Sequence, residues 1–466
     1  MSTHGLSESL HRLVKQALDS GAASSIAEAE AMFHGYRLAF AIDTAESRDP
    51  LHQAALLTGV SLARRVFLGG VTVVGDLDVP LMVPLPFGAN LHDAVVSLGG
   101  TPAVTLPEKT PIVNIGGVPR PRAADFHVRT VFSGWRGGIL PAHSEIALPP
   151  GTSMPLAPML AAALAVNEGF LFVSDRTGAA GRRAVGLSLW APSAEVDWLG
   201  AGAGEPELRY LPSKLWLIGL GHLGQAYLWG LGVLPYPRTS AGLELVLQDT
   251  DDVTPSSEST SVLTDGTTIG QKKTRVMAAW AERRGFSTAI CERLFEASFA
   301  RKSSEPAVAL CGIDNSLGRQ ALDRVGFDFV VEAGLGRGHR DFRSIRLHTL
   351  PGPRPATELW NGGGTAESTQ ERAAYQRLLQ NRELDRCGLT LLAGKAVGAP
   401  FVGSVAACLV LSEVLRLLHD GPLHHVLELD LQSVEQRTAV ARAQALAPFN
   451  PGFVSISYPE QRTINR

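Results

Sequence analysis

Apolar residues along this chain alternate between short runs of strand length and longer stretches at helical spacing. In the second half, Leu215 to Ile218 is one short run, Ala226, Leu228 and Leu231 mark a helix, and Leu243 to Leu247 is the next run. The pattern predicts a helix over Gly270 to Arg284, strands over Ser287 to Arg293 and Ala307 to Cys311, and a helix over Leu317 to Val325. A strand over Phe329 to Ala333, a polar helix over Glu367 to Glu383 and an apolar helix over Pro400 to Leu418 follow. HHVLELDL, from His424, predicts an edge strand. Strands alternating with helices build a mainly parallel sheet covered on both faces.

The first half carries a similar pattern behind an N-terminal helical arm. Leu10, Leu13, Val14 and Leu18 recur at helical spacing, and Ser24 or Ser25 caps a second short helix through Phe33. Strands are expected at Arg37 to Ile42 and Val71 to Val74 around a proline-started helix, Pro50 to Phe67. Next come a helix near Asn90 to Leu98, strands near Ala103 to Leu106 and Pro111 to Ile115, a hairpin in FHVRTVFSGWRGGIL, and a long apolar helix, Ala157 to Val173. AAALAVNE at Ala161 to Glu168 matches AACLVLSE at Ala406 to Glu413, and both helices open with Ala-Pro. That match suggests a duplication. The expected fold class is α/β, with two Rossmann-like doubly wound lobes. The glycine, proline and charge of Asp197 to Pro212 mark the boundary. The expected division is 1–205 for a first lobe with its arm, 206–440 for a second lobe and 441–466 for a tail.

A chain of 466 residues is too long for one ordinary core, which supports two lobes. Its net charge of -3 leaves no electrostatic case for a nucleic-acid partner. Glu8, Asp19, Glu28 and Glu30 exclude a signal peptide from the first residues, and no uninterrupted apolar run reaches roughly 18 residues, so no membrane span is expected. None of the cysteines forms a Cys-x-x-Cys pair, which argues against structural zinc and for free thiols in a reducing cytoplasm.

Candidate chemistry concentrates in the second half. Gly219, Gly221 and Gly224 form G-x-G-x-x-G between a strand and a helix, and Asp249 ends the next strand, where a carboxylate meets a ribose hydroxyl. The corresponding turn of the first half reads DTAESRDP, without glycine, so a nucleotide site there has been lost. Asp251, Ser256, Lys273, Asp314, Asn315 and Arg319 fall at the carboxyl edge of the same predicted sheet, where such folds bind ligands. Lys273 suits phosphate oxygens and Asp314 suits Mg²⁺. Each alone also reads as a surface lysine or a helix cap, and the glycine turn with Asp249 equally suits an NAD-dependent oxidoreductase.

Five segments in order, IGLGHLG, LQDTDDV, IGQKKT, GIDNSLGR and VVEAGLGRG, resemble one adenylation domain. It is shared by ubiquitin-activating enzymes and the bacterial activating enzymes of thiamin and molybdopterin synthesis. The resemblance covers about Lys214 to Gln432, with Asp249, Asp251, Val253, Ser256 and Lys273 in register. It implies that MgATP occupies the glycine turn and that the C-terminal glycine of a ubiquitin-like protein attacks the α-phosphate. It also implies that Asp249 binds ribose, Lys273 the phosphates and Asp314 the Mg²⁺. Ser257 and Thr260 stand where the family has asparagine and arginine, leaving Lys272, Arg319 or an arginine of the N-terminal lobe to compensate.

The missing Cys-x-x-Cys pairs argue against the thiamin or molybdopterin type. Cys387, beside Arg386 and between glycines after a polar helix and a long loop, matches the thioester-forming cysteine of the autophagy-type enzyme. The implied sequel is transfer to a conjugating enzyme, by a monomer or homodimer, with the closest likeness to activating enzymes of bacterial ubiquitin-like operons in phage defence. An adenylyltransferase without a thioester, and a scaffold with a dead ATP site, are the alternatives. Gly362 to Gly364 suit a hinge, and His424-His425 reads as a solvated pair without a ligand-spaced carboxylate.

Overall fold

Ser25, in extended conformation, accepts a hydrogen bond from the Glu28 N–H and starts the last helix of the N-terminal arm. The computed structural model describes residues 3–117, 124–174, 177–202, 204–237, 242–362, 370–381 and 384–456. The arm consists of α1 (Thr3–Ser9), α2 (Val14–Ser20) and α3 (Ile26–His34). A turn at residues 11–13 interrupts the helix expected through Leu10 and Leu18, and Arg12 sits in it.

The first lobe runs β1 (Leu38–Ile42), α4 (Pro50–Ala63), β2 (Val71–Gly75), α5 (Leu91–Ser97), β3 (Thr101–Ala103), β4 (Ile112–Ile115), β5 (His127–Ser133), β6 (Arg136–Pro141), α6 (Leu156–Val173) and β7 (Val185–Ser188). Its strand order is β3-β2-β1-β4-β5-β6-β7, parallel as far as β5 and antiparallel beyond. After β8 (Tyr210–Pro212), the second lobe begins with β9 (Lys214–Ile218), α7 (His222–Val233), β10 (Glu244–Gln248), α8 (Lys273–Arg284), β11 (Ser287–Cys291) and β12 (Val308–Cys311). It continues with α9 (Ser316–Gln320), β13 (Phe329–Leu335), β14 (Ser344–Leu350), α10 (Ala356–Leu359), α11 (Ala373–Gln380) and α12 (Arg386–Gly394). The chain closes with α13 (Pro400–Leu418), β15 (His424–Asp430), β16 (Thr438–Ala441) and β17 (Phe453–Ser455).

The second order is β11-β10-β9-β12-β13-β14-β15-β16, again parallel as far as β13 and antiparallel beyond. Its first seven strands repeat the order of the first sheet, with β16 added at the end, and α6 and α13 take the same place before β7 and β15. The duplication suggested by the two alanine-rich strings is therefore a duplication of topology. Even the closing glutamates share a job. Buried Glu168 accepts from the Gly181 N–H at 3.0 Å and pairs with Arg183, while buried Glu413 accepts from the His424 N–H at 3.2 Å and pairs with Arg416. Each anion ties a helix to the chain that follows it.

The structure corrects the reading of His424 and adds to those of the apolar helices and the arm. Both α6 and α13 are long and apolar enough to cross a membrane, yet each is 89% buried, because they pack on each other in a core shared by the lobes. His424 is not on an edge strand, since β16 covers β15, and it is buried with Nδ1 2.9 Å from Glu413. A buried carboxylate requires such partners. The arm grouped with the first lobe also reaches the second: Tyr375 donates to Asp19, and Lys15 Nζ lies 3.3 Å from the Ala393 carbonyl. The tail is structured in part, with β17 pairing antiparallel to β8. Of the expected hinge, Gly363 and Gly364 lie outside the described residues, as do both ends of the helix expected over Glu367 to Glu383, where α11 is the described part.

Candidate nucleotide site

The site forms where β9 ends and α7 begins. Gly219 is left-handed at φ 84°, and a Cβ there would lie 3.1 Å from the Gly312 carbonyl carbon. A Cβ on Gly224 would lie 2.0 Å from the Gly219 oxygen, whereas one on Gly221 meets open space. Gly219 and Gly224 therefore close the turn, and Gly221 keeps the mouth of α7 open for a ligand. Gly224→Ala is expected to cost about 1–3 kcal/mol through this overlap and to abolish ATP binding. A urea midpoint unchanged from the wild type would show that the turn does not depend on the close approach.

Asp249 fastens the turn to the next strand. One carboxylate oxygen accepts from the Leu220 N–H at 2.6 Å and the other from the Asp251 N–H at 2.8 Å. Lys273 opens α8, mostly shielded, with Nζ 2.8 Å from the exposed carboxylate of Asp251. Lys272 is engaged elsewhere, donating to the Thr250 carbonyl at 2.8 Å and pairing with Asp252 at 2.9 Å. Asp314 is exposed at the end of β12 and makes no hydrogen bond among the described residues. Asn315 is the N-cap of α9, accepting from the Gly318 N–H at 2.6 Å.

Arg319 points inward. Its Nε donates to the Ile313 carbonyl and lies 2.9 Å from buried Glu332, which makes it a prop for the turn carrying Asp314. Ser257 caps its own loop by accepting from the Thr254 N–H at 3.1 Å, and Thr260 is buried. Neither reaches toward a phosphate with a charge.

A cation of the arm reaches the same loop. Arg12 donates from Nη2 to Ser256 Oγ at 3.0 Å and from its backbone N–H to Ser259 Oγ at 3.1 Å. Its Nη1 is buried without a hydrogen-bond partner among the described residues. Burial lowers the Arg12 pKa, opposed by the nearby carboxylates of Asp314 and Glu8. Of the three cations considered for compensation, Lys272 is bonded to Thr250 and Asp252 and the Nε of Arg319 is turned to Ile313 and Glu332, while Arg12 keeps a buried nitrogen without a partner among the described residues beside the Ser256 loop. Sequence spacing gives no sign of it, because the contact joins residues 244 apart. His222, by contrast, is held neutral: burial lowers its pKa to about 4 beneath the first turn of α7.

In the first lobe the same place is self-occupied. Asp49 caps α4, accepting from the His52 N–H at 3.0 Å and lying 2.6 Å from the His52 ring nitrogen, so the helix mouth already holds an anion.

Cys387 is exposed at the second position of α12, not in a loop, because Asp385 caps that helix through the Gly388 N–H at 2.7 Å. The pattern Asp-x-x-Gly before Leu389 and Leu392 is the signal that marks it. Burial raises the thiol pKa of Cys291, that of Cys311 to about 12, and that of Cys408 further still. Among the described residues no cluster of three metal-ligating side chains occurs.

Two duplicated lobes, one with an open glycine turn and one with its turn capped by Asp49, are the layout of an E1-like protein. Within that class the chain belongs to the BilD family. Residues 37–189 match the BilD N-terminal domain and residues 211–421 the BilD C-terminal domain. It is 45% identical over 414 residues to the bacterial E1-like protein BilD of Collimonas sp. (strain OK412), covering 88% of this chain and 89% of that one. Among solved structures, Escherichia coli MccB matches at 14% identity with a TM-score of 0.35, over 53% of this chain and 67% of MccB. MccB with ATP matches at 16% identity and a TM-score of 0.33, over 51% of this chain and 65% of that one.

Proposed function

We propose that this protein uses MgATP to activate the C-terminus of a ubiquitin-like protein, forms a thioester on Cys387 and passes the acyl group to a conjugating enzyme. The reading places it in a reducing cytoplasm and in a bacterial ubiquitin-like operon serving phage defence, and the E1-like name of its relative supports it. The observation that carries it is Arg12, whose buried Nη1 has no partner among the described residues and whose guanidinium lies near Asp314 and on Ser256, in the lobe whose glycine turn carries Asp249 and Lys273.

In the reaction, a carboxylate oxygen of the partner's terminal glycine bonds to the α-phosphorus, the bond to the β-phosphate oxygen breaks, and pyrophosphate leaves. Two anions must meet, so Lys273 and Arg12 offset their repulsion while Asp249 fixes the ribose. Asp314 would hold a Mg²⁺ ion here, and the ion would supply further neutralisation of phosphate charge. The Cys387 thiolate then bonds to the acyl carbon and AMP departs.

The test mixes the full chain with ATP, Mg²⁺ and the ubiquitin-like protein encoded beside its gene. The expected result is partner-dependent ATP–pyrophosphate exchange together with an adduct on a non-reducing gel that thiols dissolve. Exchange without an adduct reduces the function to adenylyl transfer, and the absence of both removes the reading.

A further inference from the structure

Arg65, just beyond α4 in the first lobe, is buried and reaches across into the second lobe. Its Nε donates to the Glu258 carbonyl at 2.9 Å, and its Nη2 donates to the carbonyls of Val262 at 3.1 Å and Thr264 at 2.9 Å. Its Nη1 returns to the Ser61 carbonyl at 2.6 Å. Neighbouring Arg64 pairs with Glu258 at 2.5 Å. The carbonyls gripped by Arg65 belong to one loop, residues 254–264, which also presents Ser256 and Ser259 to Arg12. Gln225 of α7 holds the far end of the same loop, accepting from the Leu263 N–H at 2.9 Å.

Burying a guanidinium is costly, and here burial draws its pKa down to about 9, with Arg64 adding to the fall and Glu258 and Asp265 opposing it. A planar fork satisfied by several carbonyls fixes a loop far better than one contact does. We propose that Arg65 of the blocked lobe is a positioning residue for the open lobe: it sets the serine loop that aims Arg12 at the triphosphate. The blocked lobe thus shapes the phosphate half of the nucleotide site, and the ribose half, built on Asp249, is independent of it. This rests on the reading of Arg12 as a phosphate contact.

The test measures ATP and AMP affinities of the full chain by calorimetry with Mg²⁺. Arg65→Lys, which keeps the charge and loses the fork, is expected to weaken ATP about tenfold and AMP less than about twofold. In an Arg12→Ala background the same change is expected to matter less than about twofold, because its effect runs through Arg12. Equal weakening of ATP and AMP, or additive effects of the two substitutions, would overturn the proposal. Should Arg65→Lys not fold, Ser259→Ala removes the link between loop and arm and is expected to show the same ATP-selective loss. Its absence overturns the proposal equally. A wild-type chain that binds no ATP removes the functional reading, whereas ATP binding with unselective Arg65 effects removes only this inference.

Discussion

Lys273→Ala is expected to slow ATP–pyrophosphate exchange by about 100-fold while leaving stability within about 0.5 kcal/mol. The two magnitudes differ because the lysine has two kinds of partner. In the free protein it pairs with Asp251, which is 67% exposed, and such a pair contributes little to folding. In the proposed reaction its ammonium would face the charge that develops between attacking carboxylate and leaving pyrophosphate. Removing one fixed cation from such a site costs catalysis far more than it costs the fold.

Lys272 supplies the internal control. It shares the same chain segment but is already bonded to the Thr250 carbonyl and Asp252. Lys272→Ala is therefore expected to slow exchange less than about threefold. Equal losses for the two lysines, read as initial rates of labelled pyrophosphate entering ATP, would overturn the assignment of Lys273 to the phosphates.

What the sequence made legible was local. Gly219, Gly221, Gly224 and Asp249 belong to one strand–turn–helix–strand unit, so spacing alone brings them together. The string match between α6 and α13 exposed the duplication because both helices are buried all round and carry, five residues before their ends, a glutamate that ties the next segment. Arg12 and Arg65 were illegible as specific contacts, since each reaches its loop over roughly two hundred residues of chain, and nothing in their neighbours' spacing encodes that. His424 misled because its partner Glu413 lies in a different element, joined only when α13 packs under β15. Burial of a polar group is decided by tertiary neighbours, so a histidine pair read from sequence defaults to solvent.

Cys387→Ala is expected to abolish the thiol-sensitive adduct completely while pyrophosphate exchange stays within about twofold of the wild type. The separation follows from position: among the described residues no hydrogen bond or ion pair joins Cys387 to the glycine turn, Asp249 or Lys273, so removing its sulfur leaves those charges in place. Of the four cysteines, Cys387 alone is exposed, and burial disfavours the thiolate at each of the others. Its helix also packs on α1, and the same arm carries Arg12, so the thiol and the guanidinium on the Ser256 loop are held by one short segment. An adduct that survives in Cys387→Ala but disappears in Cys291→Ala, the half-buried alternative, would move the nucleophile to the end of β11. Loss of exchange along with the adduct would make Cys387 part of the nucleotide site instead of the acceptor of its product.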